Sequence, residues 1–536
     1  MLVEWRDGRG KRLSSAIGNP LNDNETLPDG WIRYGMTTKT IPPESKSAML
    51  HFYVAKGGHG KAVFCGFEMI RLDACSVGPM LSSAYQNVAT GGVVRFVVPL
   101  HRIEDANVRK DVLRPEFTIW GANGVLLKKR PTEFDLDHAA LDVNVVELAN
   151  GTNPVTFELS SRERSYGASR LDFTKSTKLP PRRVWIDSRN RLIVDGKPFF
   201  MLGMYWRRIT ESELDVFCPS PFNTVLPCQR PDRSQFDLCA ARGLKMCYPF
   251  EHRYDIPGEN TNVARIVNEL KDHPALLLWY LNDERPVSLV RQVQARHDLI
   301  LSLDGQHPTW TVSDKPVNVK SFLGSYEIIG TDVYPIGNAL PGYPFPIENV
   351  LQYAITAKRR SYGLYPMWHV PQAFSWGWFR KGMKEYIDMR YPTRTELRQM
   401  TWQYIAAGAN GIMYYAFNAL RDNFTGKEFT ARWKELKEIA AEVKRFEDIF
   451  LSGDEPPNVT GMTHAVGARA WRRGRDIWLL AVNATRMTQK ACLELDCQTA
   501  SGITSVFGTP PIRTSASTFE CTLAPLECSL TACKMR

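Results

Sequence analysis

The sequence lacks the signatures of several common protein classes. No window approaches the roughly 18 consecutive apolar residues of a membrane-spanning helix, and the first residues, MLVEWRDGRGKRLSS, contain no apolar segment typical of a signal peptide. The 11 cysteines include neither a CxxC pair nor a Cys/His spacing typical of zinc sites. A GxSxG motif is also absent, which argues against a serine hydrolase. We therefore expect no transmembrane segment, no metal and no cofactor.

A strong excess of one charge is missing as well. The 67 Lys and Arg residues outnumber the 57 Asp and Glu residues, which gives a net charge of +10. The basic residues are spread over 536 positions and form no continuous basic stripe. This distribution argues against a nucleic-acid partner. The 43% of hydrophobic residues predict a folded protein, and the 14 Trp and 19 Tyr suit a carbohydrate ligand, because sugars present C–H surfaces to aromatic rings.

The cellular compartment stays open. Sequons at Asn24, Asn150, Asn423, Asn458 and Asn483, and cysteines crowded after position 491 that could form disulfides, favour a secreted or extracytoplasmic location. Oligomeric state cannot be read from the sequence.

Strand and helix patterns divide the chain into four predicted domains. Residues 1–75 and 76–180 consist of short alternating strands separated by Gly, Pro, Asn and Asp, which is typical of β-sandwiches, the first of them similar to carbohydrate-binding modules. Residues 181–452 alternate apolar strands with amphipathic helices. Residues 453–536 return to strands and predict a C-terminal β-sandwich.

The third domain is predicted to be a (β/α)₈ TIM barrel. Its eight strand candidates are 199–206, 222–229, 245–250, 276–283, 308–314, 328–336, 365–374 and 411–418, with helical patterns between many of them. A doubly wound open sheet is the alternative, but the Gly-rich first turn of that fold is missing. The predicted fold is therefore multidomain, a barrel flanked by β-sandwiches.

Polar side chains end several of these strands, and the active sites of such barrels lie at the carboxyl ends of the strands. The fourth strand, LLLWYLND, ends in Asn282 and Asp283 and is followed by Glu284, and the sixth ends near Asp332. Cleavage of a glycosidic bond needs one carboxylic acid to protonate the leaving oxygen and a second carboxylate as nucleophile or base. This pattern predicts a glycosidase.

Three segments carry a resemblance to a known family. DGKPFFMLGMYW, HPALLLWYLNDERP and GANGIMYYAF resemble the barrel of clan A glycoside hydrolases, in particular the family 2-like branch. The resemblance covers roughly residues 190–450 and implies that Glu284 is the general acid/base. The family has Asn directly before this Glu, whereas Asp283 intervenes here. The family also ends its seventh strand in a nucleophilic Glu, whereas this chain offers Gln372.

Three explanations of that departure remain open. Asp332 could be the second carboxylate, as base or nucleophile. Alternatively, Asp283 and Glu284 resemble the pair of hexosaminidases that use the acetamido group of the substrate, with Asp283 orienting that group. Lastly, the barrel could be inactive and serve only as a carbohydrate-binding or structural module.

The remaining candidate residues would bind hydroxyls and rings of an oligosaccharide, polysaccharide or glycoconjugate: Asn282, Trp206, Tyr205, Glu251, His252, Tyr334, Gln372, Trp376, Trp378 and Tyr414. Structural roles compete with these assignments. Asp283 and Glu284 could be charges at the N-terminus of the following helix, where the helix dipole favours them. Asp332 could instead cap its loop.

Overall fold

The structure, a computed structural model, describes residues 2–17, 24–26, 32–34, 42, 44–51, 76–101, 110–254, 256–337, 346–378, 389–423 and 426–536. These residues form two compact units. The first comprises Met1–Ser82, Asn87–Thr177 and Pro286–Arg291, and the second comprises Ser83–Gln86, Lys178–Arg285 and Gln292–Arg536. In the described residues no helix is both long and apolar enough to cross a membrane.

The first unit consists of β-sheets. Its strands are Leu2–Arg6, Arg12–Ile17, Asn24–Thr26, Ile32–Tyr34, Ser47–His51, Ser76–Val77, Leu81–Ser82, Val88–Ala89, Val93–His101, Arg114–Gly121, Gly124–Lys129, Glu133–Phe134, His138–Asn144, Gly151–Ser160 and Ser165–Lys175. The larger sheets have five strands each. Phe96 of one and Phe173 of the other make an edge-to-face contact with ring centroids 5.5 Å apart, so apolar side chains of both sheets share a core.

The second unit contains an eight-stranded parallel sheet, whose strands we label β1 to β8 in chain order. They are β1 (Met201–Trp206), β2 (Thr224–Pro227), β3 (Lys245–Pro249), β4 (Leu276–Asp283), β5 (Thr309–Ser313), β6 (Ile328–Thr331), β7 (Trp368–His369) and β8 (Gly411–Tyr414). The order is β6-β5-β4-β3-β2-β1-β8-β7. A bridge between Ile329 and Met367 joins the two ends of the sheet, so the strands nearly close into a barrel.

Close approach of β6 and β7 requires glycine. A Cβ atom on Gly330 would lie 2.0 Å from the carbonyl oxygen of Trp368, a distance that no side chain tolerates. Just after this contact along both strands, the Val370 amide donates to the Thr331 carbonyl at 3.0 Å. The absence of a side chain at Gly330 therefore lets the barrel close.

Helices surround these strands: α1 (Glu211–Phe217), α2 (Arg233–Ala241), α3 (Glu259–Leu270), α4 (Val290–Leu303), α5 (Asn349–Arg360), α6 (Arg394–Ala407), α7 (Phe417–Asn423), α8 (Gly426–Arg445) and α9 (Glu447–Phe450). Alternation along each strand separates two apolar layers. On β4, Leu278 and Tyr280 belong to the interior cluster, while Trp279 and Leu281 belong to the cluster shared with the helices. Strands buried on both faces explain the continuous apolar runs of the sequence.

The remaining strands of the second unit form a small sheet before the barrel (Val184–Ile186, Leu192–Val194, Lys197–Phe199) and two four-stranded sheets after it. The latter contain Val459–Thr460, Gln489–Leu495, Ile512–Arg513 and Thr518–Leu523, and Val466–Arg473, Asp476–Asn483, Thr499–Phe507 and Cys528–Met535. Half-buried Arg469 donates to the carbonyls of Ile405 and Ala409 at the end of α6, where a cation is favourable. These two hydrogen bonds connect the C-terminal sheets to the barrel.

The prediction of a TIM barrel with additional β-sheets is confirmed, and all eight predicted strands exist. The second, sixth, seventh and eighth are shorter than predicted, and the eighth ends early because helix Phe417–Asn423 begins three residues after it. The sandwich arrangement and the boundaries near residues 75, 180 and 452 stay predictions. The described cysteines are free, including those after position 491.

Candidate active site

Carboxyl groups converge at the carboxyl ends of four consecutive strands. Asp283 is the last residue of β4, with Glu284 directly after it; Glu251, Asp314 and Asp332 follow β3, β5 and β6. We call these five residues the carboxyl cluster. These residues lie close together, because the charge of Asp283 raises the pKa of each of the other four. The cluster lies at the end of the barrel where such folds carry their active sites.

A β-bulge in β4 directs Asp283 toward the interior. The register between β4 and β5 shifts between Tyr280 and Asn282, which leaves Leu281 without its own partner. Without the bulge, Tyr280 and Asp283 would point to opposite faces. With it, the Tyr280 hydroxyl donates to Oδ1 of Asp283 at 2.7 Å, and the Tyr205 hydroxyl donates to that of Tyr280 at 3.0 Å.

Glu284 stands at a turn of the chain. Its φ of 56° lies in the left-handed region, which is uncommon for a residue with a side chain. Its amide donates to the Val312 carbonyl at 3.1 Å, and the side-chain oxygen of Asn282 accepts from the Arg285 amide at 2.9 Å. These bonds hold the turn, and the Glu284 side chain is exposed at the barrel mouth.

The carboxyl groups of Glu284 and Asp332 lie close enough for each to shift the pKa of the other. Two carboxyl groups at such close range resist joint ionisation, so the pair retains a proton to a higher pH than either group would alone. Burial and then the charge of Glu284 raise the pKa of Asp332 well above its usual range, since Asp332 is only 6% exposed. Partial loss of water around its carboxyl group also raises the pKa of Glu284, and the interaction with Asp332 opposes this rise. We place the shared proton on Asp332, because the buried group is harder to ionise.

The other carboxyl groups also favour protonation. Burial raises the pKa of Glu251 to about 8, and Glu251 is 6% exposed with no hydrogen-bond partner for Oε2 among the described residues. Burial raises the pKa of Asp283, against the opposing effects of the Tyr280 hydroxyl and the Arg285 charge. Burial similarly raises the pKa of Asp314. Burial therefore raises the pKa of each of these carboxyl groups.

Aromatic side chains form one wall beside the cluster. The Tyr415 ring lies 5.1 Å from that of Tyr205, 5.9 Å from that of Tyr334 and 5.6 Å from that of Phe374, between centroids. The Trp376 ring lies 6.2 Å from Tyr334 and its indole donates to the Tyr334 carbonyl. Electrostatic effects of Asp332 and Glu284 on the pKa of Tyr334 show that this wall adjoins the carboxyl pair.

The side chain of Gln372 is hydrogen-bonded to the backbone. Its Oε1 accepts from the Ile336 amide at 2.9 Å, and its Nε2 donates to the carbonyls of Ile336 and Phe374 at 2.8 and 3.1 Å. The side chain is fully buried. Gln372 thus holds the segment after β6 in place, and all of these bonds use its amide chemistry.

Not all predicted binding residues reach the mouth. Trp206 is 1% exposed and stacks on Phe417 at 4.6 Å, and Tyr414 shares a hydrogen bond with Thr401 of α6; both belong to the layer between strands and helices. His252 is exposed, with Nε2 3.4 Å from Oε1 of Glu251. Trp378 packs at the edge of the interior cluster.

The sequence analysis selected Tyr414 instead of its neighbour Tyr415 and missed Asp314. On β8 the interior residue is Met413, so alternation places Tyr415 rather than Tyr414 on the inner side. Asp314 directly follows the apolar β5, the same signal that singled out Asp283. In the described part of the chain, no group of three or more His, Cys, Asp or Glu is arranged to hold a metal ion.

No family model matches the chain, and no curated protein matches it. Among solved structures, a glycoside hydrolase aligns with 66% of this chain and 97% of its own, at 11% identity and a TM-score of 0.48. A family 5 glycoside hydrolase from Bacteroides vulgatus aligns with 66% and 93%, at 11% identity and a TM-score of 0.46. A β-glucuronidase of Parabacteroides merdae aligns with 86% and 74%, at 10% identity and a TM-score of 0.35. The resemblance to clan A and its family 2-like branch stays a prediction.

Proposed function

We propose that this protein is a glycosidase that hydrolyses O-glycosidic bonds, with Glu284 as general acid/base. The observation that carries the proposal is the close pair of Glu284 and Asp332 at the carboxyl ends of neighbouring barrel strands, one member exposed at the barrel mouth and the other buried. A pair that retains one proton near neutral pH can protonate a leaving oxygen, which ordinary carboxylates cannot do at that pH.

The two members have different tasks in this proposal. Glu284 meets the glycosidic oxygen, because it is the exposed member. Asp332 is the second carboxyl and shares the proton that Glu284 delivers. After delivery both groups are charged at close range, and their repulsion favours uptake of a proton from the attacking water.

The aromatic wall supports a sugar ligand. Tyr334, Trp376 and Tyr415 are partly exposed beside the carboxyl pair. Flat aromatic faces bind the C–H surfaces of sugar rings, while the carboxyl cluster offers acceptors for hydroxyl groups. The substrate class proposed is therefore a glycoside of a neutral or N-acetylated sugar.

The test is hydrolysis of a panel of 4-nitrophenyl α- and β-glycosides, N-acetylated sugars included. We expect the wild type to release nitrophenol and Glu284→Gln to lower kcat by about 10² to 10⁴. Glu428→Gln, the same exchange at an exposed position of α8, is the matched control and should retain wild-type rates. Release by Glu284→Gln at the wild-type rate would contradict the assignment.

A carbohydrate-binding module without catalysis is the competing function, and the amide at Gln372 favours it. The same panel separates the two. A wild type that cleaves no glycoside, yet binds sugars in calorimetry, would replace the enzyme proposal with the binding one.

A further inference from the structure

The second unit contains a groove that takes no part in the proposed hydrolysis. It consists of two adjoining cavities of about 700 and 380 Å³, which share Asp448 and Arg473. Both volumes lie in the range of about 300–1,000 Å³ that is typical of ligand sites. The larger cavity is lined by side chains from the junction of α8 with α9 and from C-terminal strands, among them Arg445, Phe446, Asp448, Arg473, Asp476 and Trp478. We call the two cavities together the C-terminal groove.

The C-terminal groove lies at the end of the barrel opposite the carboxyl cluster. Pro198, which lines the smaller cavity, just precedes the amino end of β1. Helix α8 follows β8 and runs back along the barrel, so its last residue, Arg445, also lies near the amino ends of the strands. The carboxyl ends of the strands lie at the other end of the barrel. A ligand in the groove therefore binds independently of a ligand in the mouth.

Trp478 gives the larger cavity an aromatic floor that is only partly covered. It lies opposite Trp471 on one neighbouring strand and opposite Ala532 on the other, and residues directly opposite each other share one face of a sheet. Trp471 is 3% exposed and packs on Phe450 with ring centroids 5.1 Å apart. Trp478 is only half-buried, and the Phe446 ring lies 6.5 Å away. A partly open indole beside a small alanine suits the C–H face of a sugar ring.

The polar groups around this floor carry both signs of charge. Arg473 and Asp448 form an ion pair at 3.6 Å where the two cavities meet, with side chains 62% and 82% exposed. Such an exposed pair contributes little to stability, so it can open toward a ligand. Arg445 and Asp476 add one cation and one anion. Hydroxyl groups both donate and accept hydrogen bonds and therefore match this lining, whereas the two aspartates would repel an anionic ligand.

The turn that carries Arg473 is held in place by hydrogen bonds. The next residue, Gly474, has a φ of 62°, and its amide donates to Oδ2 of Asp454 at 2.5 Å. The hydroxyl of Ser452 donates to the Arg472 carbonyl and accepts from the Asp454 amide at 3.2 Å. Asp454 and Ser452 both line the smaller cavity. A backbone that is already ordered loses less entropy when a ligand binds.

We propose that the C-terminal groove is a second carbohydrate-binding site, which takes a chain of neutral sugars. One sugar ring stacks on Trp478, while Arg445, Arg473 and Asp448 hold hydroxyl groups of this ring and its neighbours. The site attaches the protein to a glycan from the end of the barrel that carries no carboxyl cluster. It binds without cleavage, so it does not depend on the proposed glycosidase activity.

The test is binding of the full chain to immobilised galactomannan, mixed-linkage β-glucan and arabinoxylan, measured by biolayer interferometry, with polygalacturonate as an acidic comparison. We expect the wild type to bind at least one of the neutral polymers more tightly than polygalacturonate. Trp478→Ala should raise the Kd for that polymer about tenfold or more, because the stacking platform is lost. Arg473→Ala should raise it about threefold, and its exposed position leaves the packing of Trp478 unchanged.

Two tryptophans elsewhere serve as comparisons. Trp120→Ala is the same exchange at a 38% exposed position of the first unit, and it should bind the polymer as the wild type does. Trp376→Ala makes the exchange at the barrel mouth, so it reports binding there. Thermal unfolding of each variant controls for damage to the fold.

Several results would overturn the inference. These are no binding of the wild type to any neutral polymer, tighter binding to polygalacturonate, and a loss of affinity in Trp120→Ala or Trp376→Ala that equals or exceeds the loss in Trp478→Ala. The proposed function fails separately. A protein that binds glycan through Trp478 but cleaves no glycoside would overturn the glycosidase proposal and leave this inference standing, and cleavage without any effect of Trp478→Ala on binding would do the reverse.

Discussion

Exchange of Asp332 for asparagine tests the carboxyl pair directly. The exchange keeps the shape of the side chain and removes the group that shares a proton with Glu284. With a single carboxyl group left, the last proton of the site is lost at the pKa of Glu284 alone, which lies below the raised pKa of the pair. Two carboxyl groups that share a site commonly have pKa values about 3 apart. Because Glu284 is exposed, we expect the exchange to lower the pKa of the acid by about 2.

The assay is kcat/KM from pH 4 to pH 9 with the best substrate of the panel. In the wild type the activity should fall as the pH rises past the raised pKa of the pair, since the acid is then lost. In Asp332→Asn this decrease should begin about 2 pH units lower, which makes activity at pH 7 about 100-fold lower while activity at low pH approaches that of the wild type.

Thermal unfolding controls for damage to the fold. Asp332 is buried and its pKa is raised, so the folded wild type loses stability as the pH rises from the unfolded pKa near 3.9 through the raised folded value. The neutral asparagine avoids this loss, and the variant should be at least as stable as the wild type at pH 8. A pH profile identical to that of the wild type would refute a shared proton.

Other consequences follow from single residues. Gln372→Glu would place a carboxylate against the carbonyls of Ile336 and Phe374, and it should lower the free energy of unfolding by about 3 kcal/mol without raising activity; a gain in kcat would contradict the assigned structural role. Burial raises the pKa of Glu251 to about 8, so the wild type loses stability between pH 4.5 and 8, and Glu251→Gln should be about 2 kcal/mol more stable at pH 8 and unchanged at pH 4 in urea titrations. Gly330→Ala should cost about 3 kcal/mol in the same assay, because its Cβ would meet the Trp368 carbonyl; a neutral effect would show that β6 and β7 can separate at no cost.

The barrel was predictable because its strands are buried on both faces. LLLWYLND is apolar until its last two residues, and that pattern predicted β4 (Leu276–Asp283) to the residue. The same property prevents the sequence from showing which face of each strand lines the barrel interior. When both faces are apolar, the pattern does not tell which side chains point inward, so Trp206 and Tyr414 were predicted at the mouth although they pack in the helix-facing layer.

The sequence by itself determined the barrel, the strand ends that deliver Asp283, Glu284 and Asp332, and the missing glutamate at Gln372. Those features follow from local periodicity and residue chemistry. Only the tertiary structure decided that Leu281 forms a bulge that turns Asp283 toward Tyr280, and that Glu284 and Asp332 lie close enough to affect each other's pKa. Both depend on how neighbouring strands align in register, a property of paired backbones that no single strand carries in its own sequence.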